Sequence, residues 1–278
     1  MTTLERAFTV NSPRLTPRGA ALAGWSIHIA VVALWVALFA QVFLQVGAGL
    51  WSIGIAYIAY DTLLLVFVLW QTLPLRRSRR AASVAGGPTV GVLIAAYNEG
   101  AVLSATLRAL FAQTDPPGQI VVADDGSDDD TAAVLDTEFG DRHPSLRLLS
   151  LPHGGKAAAL NAALMAVDTD VVITMDADTL PAPDAIAAIR TAFAADPDLV
   201  VAGGVLTPIC GTSLRNRLLQ WFQTYEYLRN FVGRYAWMRV NCLLLISGAF
   251  AGFRRDAVLT VGGFDTDCLG RVSQIFTS

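Results

Sequence analysis

The sequence predicts an α/β fold, a mostly parallel sheet with helices on both faces, preceded by a two-helix transmembrane hairpin. Three observations carry this expectation. Two long stretches near the N-terminus are almost free of charged residues. After residue 88, short apolar runs rich in β-branched residues alternate with Ala- and Leu-rich runs. Acidic, glycine and lysine clusters then fall directly behind four consecutive apolar runs. Composition agrees: 54% of the chain is hydrophobic and only 15% charged, too apolar for an ordinary soluble domain.

The hairpin comes first. Ala20–Val46 holds no Asp, Glu, Lys or Arg, and Leu50–Leu75 holds only Asp61. Each stretch exceeds the roughly 20 residues that a helix needs to cross a bilayer. A cleaved signal peptide does not fit, because its apolar region is about 7–15 residues and no second span follows it at once. Arg6, Arg14 and Arg18 precede the first span; Arg76, Arg77, Arg79 and Arg80 follow the second; the turn at Gly47–Gly49 has no basic residue. The positive-inside rule therefore puts both ends, and all that follows Arg80, in the cytoplasm. The expected organisation is a cytoplasmic arm at 1–19, the hairpin at 20–75, a linker at 76–88, an α/β domain at 89–269 and a tail at 270–278. The expected location is the inner (plasma) membrane, multi-pass, with the lipid bilayer as a partner. Asp61 is either functional or turned toward another helix or the N-terminal arm. His28 reads as a packed or interfacial histidine.

Strands are expected at Thr89–Ala96, Gln119–Ala123, Leu146–Leu151, Val171–Met175 and Leu199–Ala202. Helices are expected between them at Ala101–Gln113, Thr131–Phe139, Lys156–Val167 and Ala185–Ala195. Such alternation makes a mostly parallel sheet, and in such sheets ligands bind beyond the carboxyl ends of the strands. The unusual residues lie there: Tyr97-Asn98-Glu99, Asp124-Asp125-Gly126-Ser127-Asp128, Gly154-Gly155-Lys156 and Asp176-Ala177-Asp178. Singly, each could be a helix cap, a turn or a chance pairing. Together, at one edge of one sheet, they point to a site.

Five carboxylates within Asp124–Asp130, with Asp176 and Asp178, cannot all stay ionised close together without a cation. A hard divalent ion held by one or two carboxylates and by substrate phosphates answers this. Gly154-Gly155 would let backbone amides approach a phosphate at a helix start, with Lys156 adding a point charge. The ligand expected is therefore a nucleotide diphosphate compound. Cys210, Cys242 and Cys268 are isolated and suggest neither disulfide nor zinc. A net charge of −3 without a basic face gives no sign of a nucleic-acid partner.

The order YNE, DDGSDDDT, GGKAAALN, DAD and SGAFAGFRRDAVLTVGGFD resembles the processive family 2 glycosyltransferases, which include cellulose, hyaluronan, chitin and poly-N-acetylglucosamine synthases. The resemblance covers Pro88 to Asp267. It implies a GT-A (Rossmann-like) fold, a nucleotide-sugar donor that is usually UDP-linked, Mg²⁺ or Mn²⁺, a glycan acceptor and inverting transfer. It also implies roles. Tyr97 and Glu99 border the base and ribose, Asp125 hydrogen-bonds the uracil, Lys156 contacts the nucleotide, Asp176 lies near ribose and diphosphate, and Asp178 ligates the metal. Ser247-Gly248 and Phe264-Asp265 would form the acceptor end. The Leu214–Val240 stretch mixes Trp221, Phe222, Tyr225, Tyr227, Phe231, Tyr235 and Trp237 with Arg215, Arg217, Arg229, Arg234 and Arg239. A core helix is the plainer reading, but aromatic and basic residues together favour an interfacial helix under the membrane, a pattern the family also shows.

One departure stands beside the resemblance. Family members carry, past the GGFD segment, a motif whose Asp is the general base, then a QxxRW motif and channel helices. None is present here, and Asp265 and Asp267 are the nearby carboxylates. The expectation is a C-terminally truncated chain, a fragment or frameshifted product, that binds donor with little or no transfer. Two other functions remain open at this level: an inactive membrane scaffold pairing with a partner synthase subunit, and a polyprenyl-phosphate sugar transferase.

Overall fold

The computed structural model describes residues 21–46, 48–74, 86–140, 143–210, 214–240, 242 and 246–266. The N-terminal arm, most of the linker, the flanking arginines, Asp267 and the tail lie outside the described residues, as does the side chain of His28. Six strands form one sheet: β1 (Val90–Ala96), β2 (Gln119–Asp124), β3 (Leu146–Ser150), β4 (Val171–Asp176), β5 (Val201–Gly203) and β6 (Phe250–Arg254). Eight helices are described: α1 (Ala21–Val46), α2 (Ala48–Thr72), α3 (Gly100–Phe111), α4 (Thr131–Glu138), α5 (Lys156–Ala166), α6 (Ala185–Ala195), α7 (Leu214–Met238) and α8 (Arg255–Thr260).

The spatial order is β3-β2-β1-β4-β6-β5. β1 pairs in parallel with β2 and with β4, and β2 in parallel with β3. β6 runs antiparallel to both β4 and β5, so the sheet is mixed with a parallel core. The chain moves outward from β1 through β2 to β3, then returns to the other side of β1 with β4. That reversal opens a crevice at the carboxyl ends of β1 and β4.

Alternation along the strands supplies the two apolar faces. Val90, Val92 and Ile94 of β1 pack with Leu103, Leu107 and Leu110 of α3, Leu135 of α4 and Ile186 and Phe193 of α6. Leu93, Val121 and Val172 face the other way, against Ala159, Leu160, Ala163 and Leu164 of α5 and Val258 of α8. Leu103, Leu107 and Leu110 are fully buried. Each such leucine contributes about 1.5–3 kcal/mol of transfer free energy.

The edge away from the crevice is tied by Asp170. Its Oδ2 accepts from Thr89 N and from Thr89 Oγ1, both at 2.7 Å, joining the starts of β1 and β4. The Thr89 hydroxyl first, and then its amide, hold the Asp170 carboxyl below its ordinary range. A depressed acid contributes stability above its unfolded value that disappears as the pH falls through the folded one. Asp170→Asn is therefore expected to lower the melting temperature by about 2–4 °C at pH 7. The gap from wild type should close as the pH drops below the unperturbed value of 3.8 in a series of thermal melts.

The described residues divide into two compact units. One holds the sheet with α3–α6 and α8. The other holds α1, α2 and α7, so the 208–242 segment leaves the α/β unit and joins the N-terminal helices. Within that unit α7 packs on α2, with the Phe67 and Trp237 rings 5.1 Å apart and Arg239 Nε donating to Gln71 Oε1 at 3.4 Å. Gly54–Thr72 of α2, 19 residues, is the one helical stretch among those described that is long and apolar enough to cross a membrane. The apolar part of α1, Ile29–Gln45, is shorter. Of the two expected spans, the second is thus matched among the described residues by a helical stretch long and apolar enough to cross a membrane.

Candidate functional site

The strands end in loops whose hydrogen bonds are made between motifs. Asn98, after β1, adopts φ 56°, in the left-handed region that asparagine tolerates better than most residues. Its amide donates to Ser127 Oγ at 2.9 Å, and its Oδ1 accepts from the amides of Asp128 at 2.9 Å and Asp129 at 3.3 Å. Gly100 N donates to Thr131 Oγ1 at 2.9 Å, so the first helix after the site is stitched to the second. Glu99 is the residue before α3, and its carbonyl accepts from Val102 and Leu103.

Most of the acidic loop serves itself. Asp124 binds the Ser127 hydroxyl and accepts from the Ser127 amide at 3.2 Å. Asp129 binds the Thr131 hydroxyl, which holds its carboxyl below the ordinary range. Asp128 and Asp130 are exposed. The dense carboxylate run therefore does not converge on a point: a hydroxyl and an amide bind each of Asp124 and Asp129, while Asp128 and Asp130 face solvent.

Asp125 has a different task. Its Oδ1 accepts from Gly154 N at 2.7 Å and Gly155 N at 3.2 Å; its Oδ2 accepts from Gly155 N at 2.9 Å. The Gly-Gly amides that the sequence offers to a phosphate are thus taken by a carboxylate in the folded chain. Gly126 has φ +74°, and a Cβ there would meet His153 N at 2.8 Å, so only glycine lets the loops after β2 and β3 close together. Lys156, the first residue of α5, is ion-paired with Asp176 at the end of β4.

A cavity of about 260 Å³ lies between these loops, lined by Ala95, Ala96, Tyr97, Glu99, Asp125, Lys156, Asp176, Ala177 and Asp178. All six residues singled out in the sequence for the nucleotide and the metal line it. Burial is the main cause that raises the Glu99 pKa, and the nearby charges of Asp178 and then Asp176 add to it. The Thr106 hydroxyl donates to the Ala177 carbonyl at 2.7 Å and fixes the DAD turn from below. Among the described residues no three His, Cys, Asp or Glu side chains converge as a metal cage. Asp178 with Asp176 and Glu99 in one cavity instead fits a divalent ion held by one or two carboxylates and completed by phosphate oxygens.

The other candidates lie apart from this cavity lining. Asn161 of α5 clamps the GGFD loop, accepting from Phe264 N at 2.7 Å and donating to Phe264 O at 2.8 Å. That leaves Asp265 exposed beside a fixed backbone, and Asp267 lies outside the described residues. One residue beside the cavity lining escaped the sequence reading. His153 Nδ1 lies 3.0 Å from the Asp125 carbonyl and 3.1 Å from Asp125 Oδ2, with its ring 4.6 Å from that of Tyr97. A single histidine in a Pro-His-Gly-Gly turn carries no pattern that would have marked it.

Comparison with known proteins places this geometry. The family described as Glycosyl transferase family 2 matches residues 91–262. The poly-beta-1,6-N-acetyl-D-glucosamine synthase of Staphylococcus epidermidis is 30% identical over 185 residues, covering 65% of this chain and 43% of that protein. That of Staphylococcus aureus strain COL is 30% identical over 181 residues, covering 64% and 42%. The chain thus matches less than half the length of these curated relatives. Among solved structures, a mannosyltransferase from Pyrobaculum calidifontis in complex with GDP-Man and Mn²⁺ aligns with a TM-score of 0.55 and 27% identity, covering 78% of this chain and 59% of that one. With the family match extending over more than half of its residues, the chain belongs to glycosyl transferase family 2 and carries that family's glycosyltransferase domain.

Proposed function

We propose that this chain binds a UDP-linked sugar in the cavity between the loops after β1, β2 and β4 and transfers the sugar to a growing polysaccharide at the cytoplasmic face of a membrane. The observation that carries the reading is the cavity itself, which gathers Tyr97, Glu99, Asp125, Lys156, Asp176 and Asp178 at the carboxyl edge of the sheet. The synthase relatives support a polymer as product and N-acetylglucosamine as the sugar. The mannosyltransferase, solved with a nucleotide sugar and Mn²⁺, supports donor and cation together.

In this reading Tyr97, Glu99 and Asp125 border the nucleoside, while Lys156 and Asp176 lie along the ribose and diphosphate. Asp178 holds Mg²⁺ or Mn²⁺. When bound, that ion supplies Lewis-acid stabilisation of charge on the diphosphate. Lys156 adds a fixed positive charge beside the departing group, and the Asn161 clamp holds the GGFD loop that would face the acceptor. Titration calorimetry with UDP tests the donor site. Binding is expected with Mn²⁺ or Mg²⁺ and should weaken at least about tenfold, or 1.4 kcal/mol, in EDTA. Equal affinity in EDTA would remove the metal from the site.

The membrane part of the proposal rests on α1 and α2 as paired spans, with the aromatic and basic residues of α7 in the interface beneath them. Trp221, Phe222 and Tyr225 of α7 are exposed. The arginines on either side of the hairpin put both ends in the cytoplasm. A reporter that works only in the periplasm, fused after Arg80, should be silent. An active reporter would reverse the orientation and separate the domain from cytoplasmic nucleotide sugars.

A further inference from the structure

Asp176 and Asp178 leave β4 side by side, but they are held in different ways. Asp176 is ion-paired with Lys156; its amide donates to the Ala249 carbonyl at 3.2 Å, and its carbonyl accepts from Thr179 N at 3.0 Å. Among the described residues no hydrogen bond or ion pair holds the Asp178 carboxylate. Its position is therefore set through the backbone, by the peptide that joins it to Ala177. A peptide is planar, so fixing its carbonyl fixes the direction in which the chain enters Asp178.

Thr106 supplies that fixture. Its hydroxyl donates to the Ala177 carbonyl at 2.7 Å, from 71 residues away in sequence. The residue is unusual for its place. It shares the buried face of α3 with Leu103, Leu107 and Leu110, is 1% exposed, and does not line the cavity. A hydroxyl in such apolar surroundings is costly unless it is bonded. Inside a helix the near partner is the carbonyl four residues earlier. Thr72, Thr191 and Thr260 each take that partner. Thr106 directs its hydrogen to another element instead. Ala177 meets it from above, buried in the same apolar cluster as the three leucines.

We propose that Thr106 is a positioning residue for the divalent cation: by holding the Ala177 carbonyl it aims the Asp178 carboxylate, and so sets metal affinity without touching metal or nucleotide. This rests on the donor-site reading above, in which Asp178 holds the ion. It adds a residue of α3, outside every motif at the sheet edge, to what determines the response of the site to metal.

The test is the ratio of UDP affinity with Mn²⁺ to that in EDTA, measured by calorimetry on the full chain in detergent. Thr106→Val keeps the shape and removes the donor. Its ratio should fall about 3–10-fold, the effect of one typical hydrogen bond, while UDP affinity in EDTA changes less than about twofold. Thr106→Ser restores the hydroxyl and should keep the wild-type ratio within about twofold. The Mn²⁺ electron paramagnetic resonance signal, titrated with protein and UDP, should show the same loss from the metal's side. An unchanged ratio in Thr106→Val overturns the proposal. So does an equal fall in affinity with Mn²⁺ and in EDTA, which a merely structural role would give. Should Thr106→Val not fold, Thr106→Cys, whose thiol is a weak donor, takes its place. Its ratio should lie at least about twofold below that of Thr106→Ser, and equality overturns the proposal. A wild type that binds UDP equally with Mn²⁺ and in EDTA sinks the donor-site reading and this proposal with it, a result seen before any variant is compared.

Discussion

Asp178→Ala is expected to remove the response of UDP binding to Mn²⁺ and Mg²⁺ and to cut sugar transfer, or hydrolysis of UDP-sugar by water, by about 10³-fold. The size follows from charge. A cation on a departing diphosphate contributes several kcal/mol to transition-state stabilisation, and each 1.36 kcal/mol is a factor of ten. The cavity offers no substitute cage among the described residues. Asp176 is already ion-paired with Lys156, and Glu99 lies on a different loop, the one after β1. Calorimetry with and without EDTA separates this effect from misfolding, because the mutant should still bind UDP at the wild type's metal-free affinity. Metal-responsive binding in Asp178→Ala would move the ion to another residue.

Asp125→Ala should be the most damaging change on the opposite side of the cavity, and it should reduce stability as well as binding. The charge-assisted bonds from Gly154 and Gly155 disappear, and such bonds contribute about 1.5–3 kcal/mol each. Both glycines can reach water, so the net loss expected is about 1–3 kcal/mol in denaturant unfolding. The 153–155 turn then loses its anchor, and UDP affinity should fall about 10–100-fold, equivalent to 1.4–2.7 kcal/mol. Asp125→Asn should lie between, since an amide keeps one acceptor oxygen but presents its NH₂ to donors. An Asp125→Ala protein with wild-type stability and affinity would show that the carboxylate holds nothing that matters to the site.

The amino-acid sequence by itself determined the elements and the edge of the sheet that carries chemistry. Apolar alternation placed β1 to β4 and α3 to α6 within a residue or two of their observed ends, because those segments bury one face or both and must repeat with the period of their backbone. Five ordered motifs identified the family. What only the tertiary structure decided were relations between segments. Phe250–Arg254 is not among the strands the sequence predicts, yet it forms β6; a Cβ at its central Gly252 would meet Ile189 Cγ2 at 2.9 Å, so close packing by α6 dictates the glycine. The 208–242 segment, continuous with the α/β domain in sequence, sorts with α1 and α2, and Trp237 and Arg239 at its end find partners on α2. The acidic loop looked like a cation trap, yet Ser127 and Thr131 absorb much of its charge locally. The Gly-Gly amides look free for phosphate in the sequence, yet Asp125 reaches Gly154 across 29 residues, and His153 on the same loop packs against Asp125 and Tyr97. Hydrogen-bond donors and acceptors are counted along a chain, but which of them are already used is settled only when loops from neighbouring strands meet.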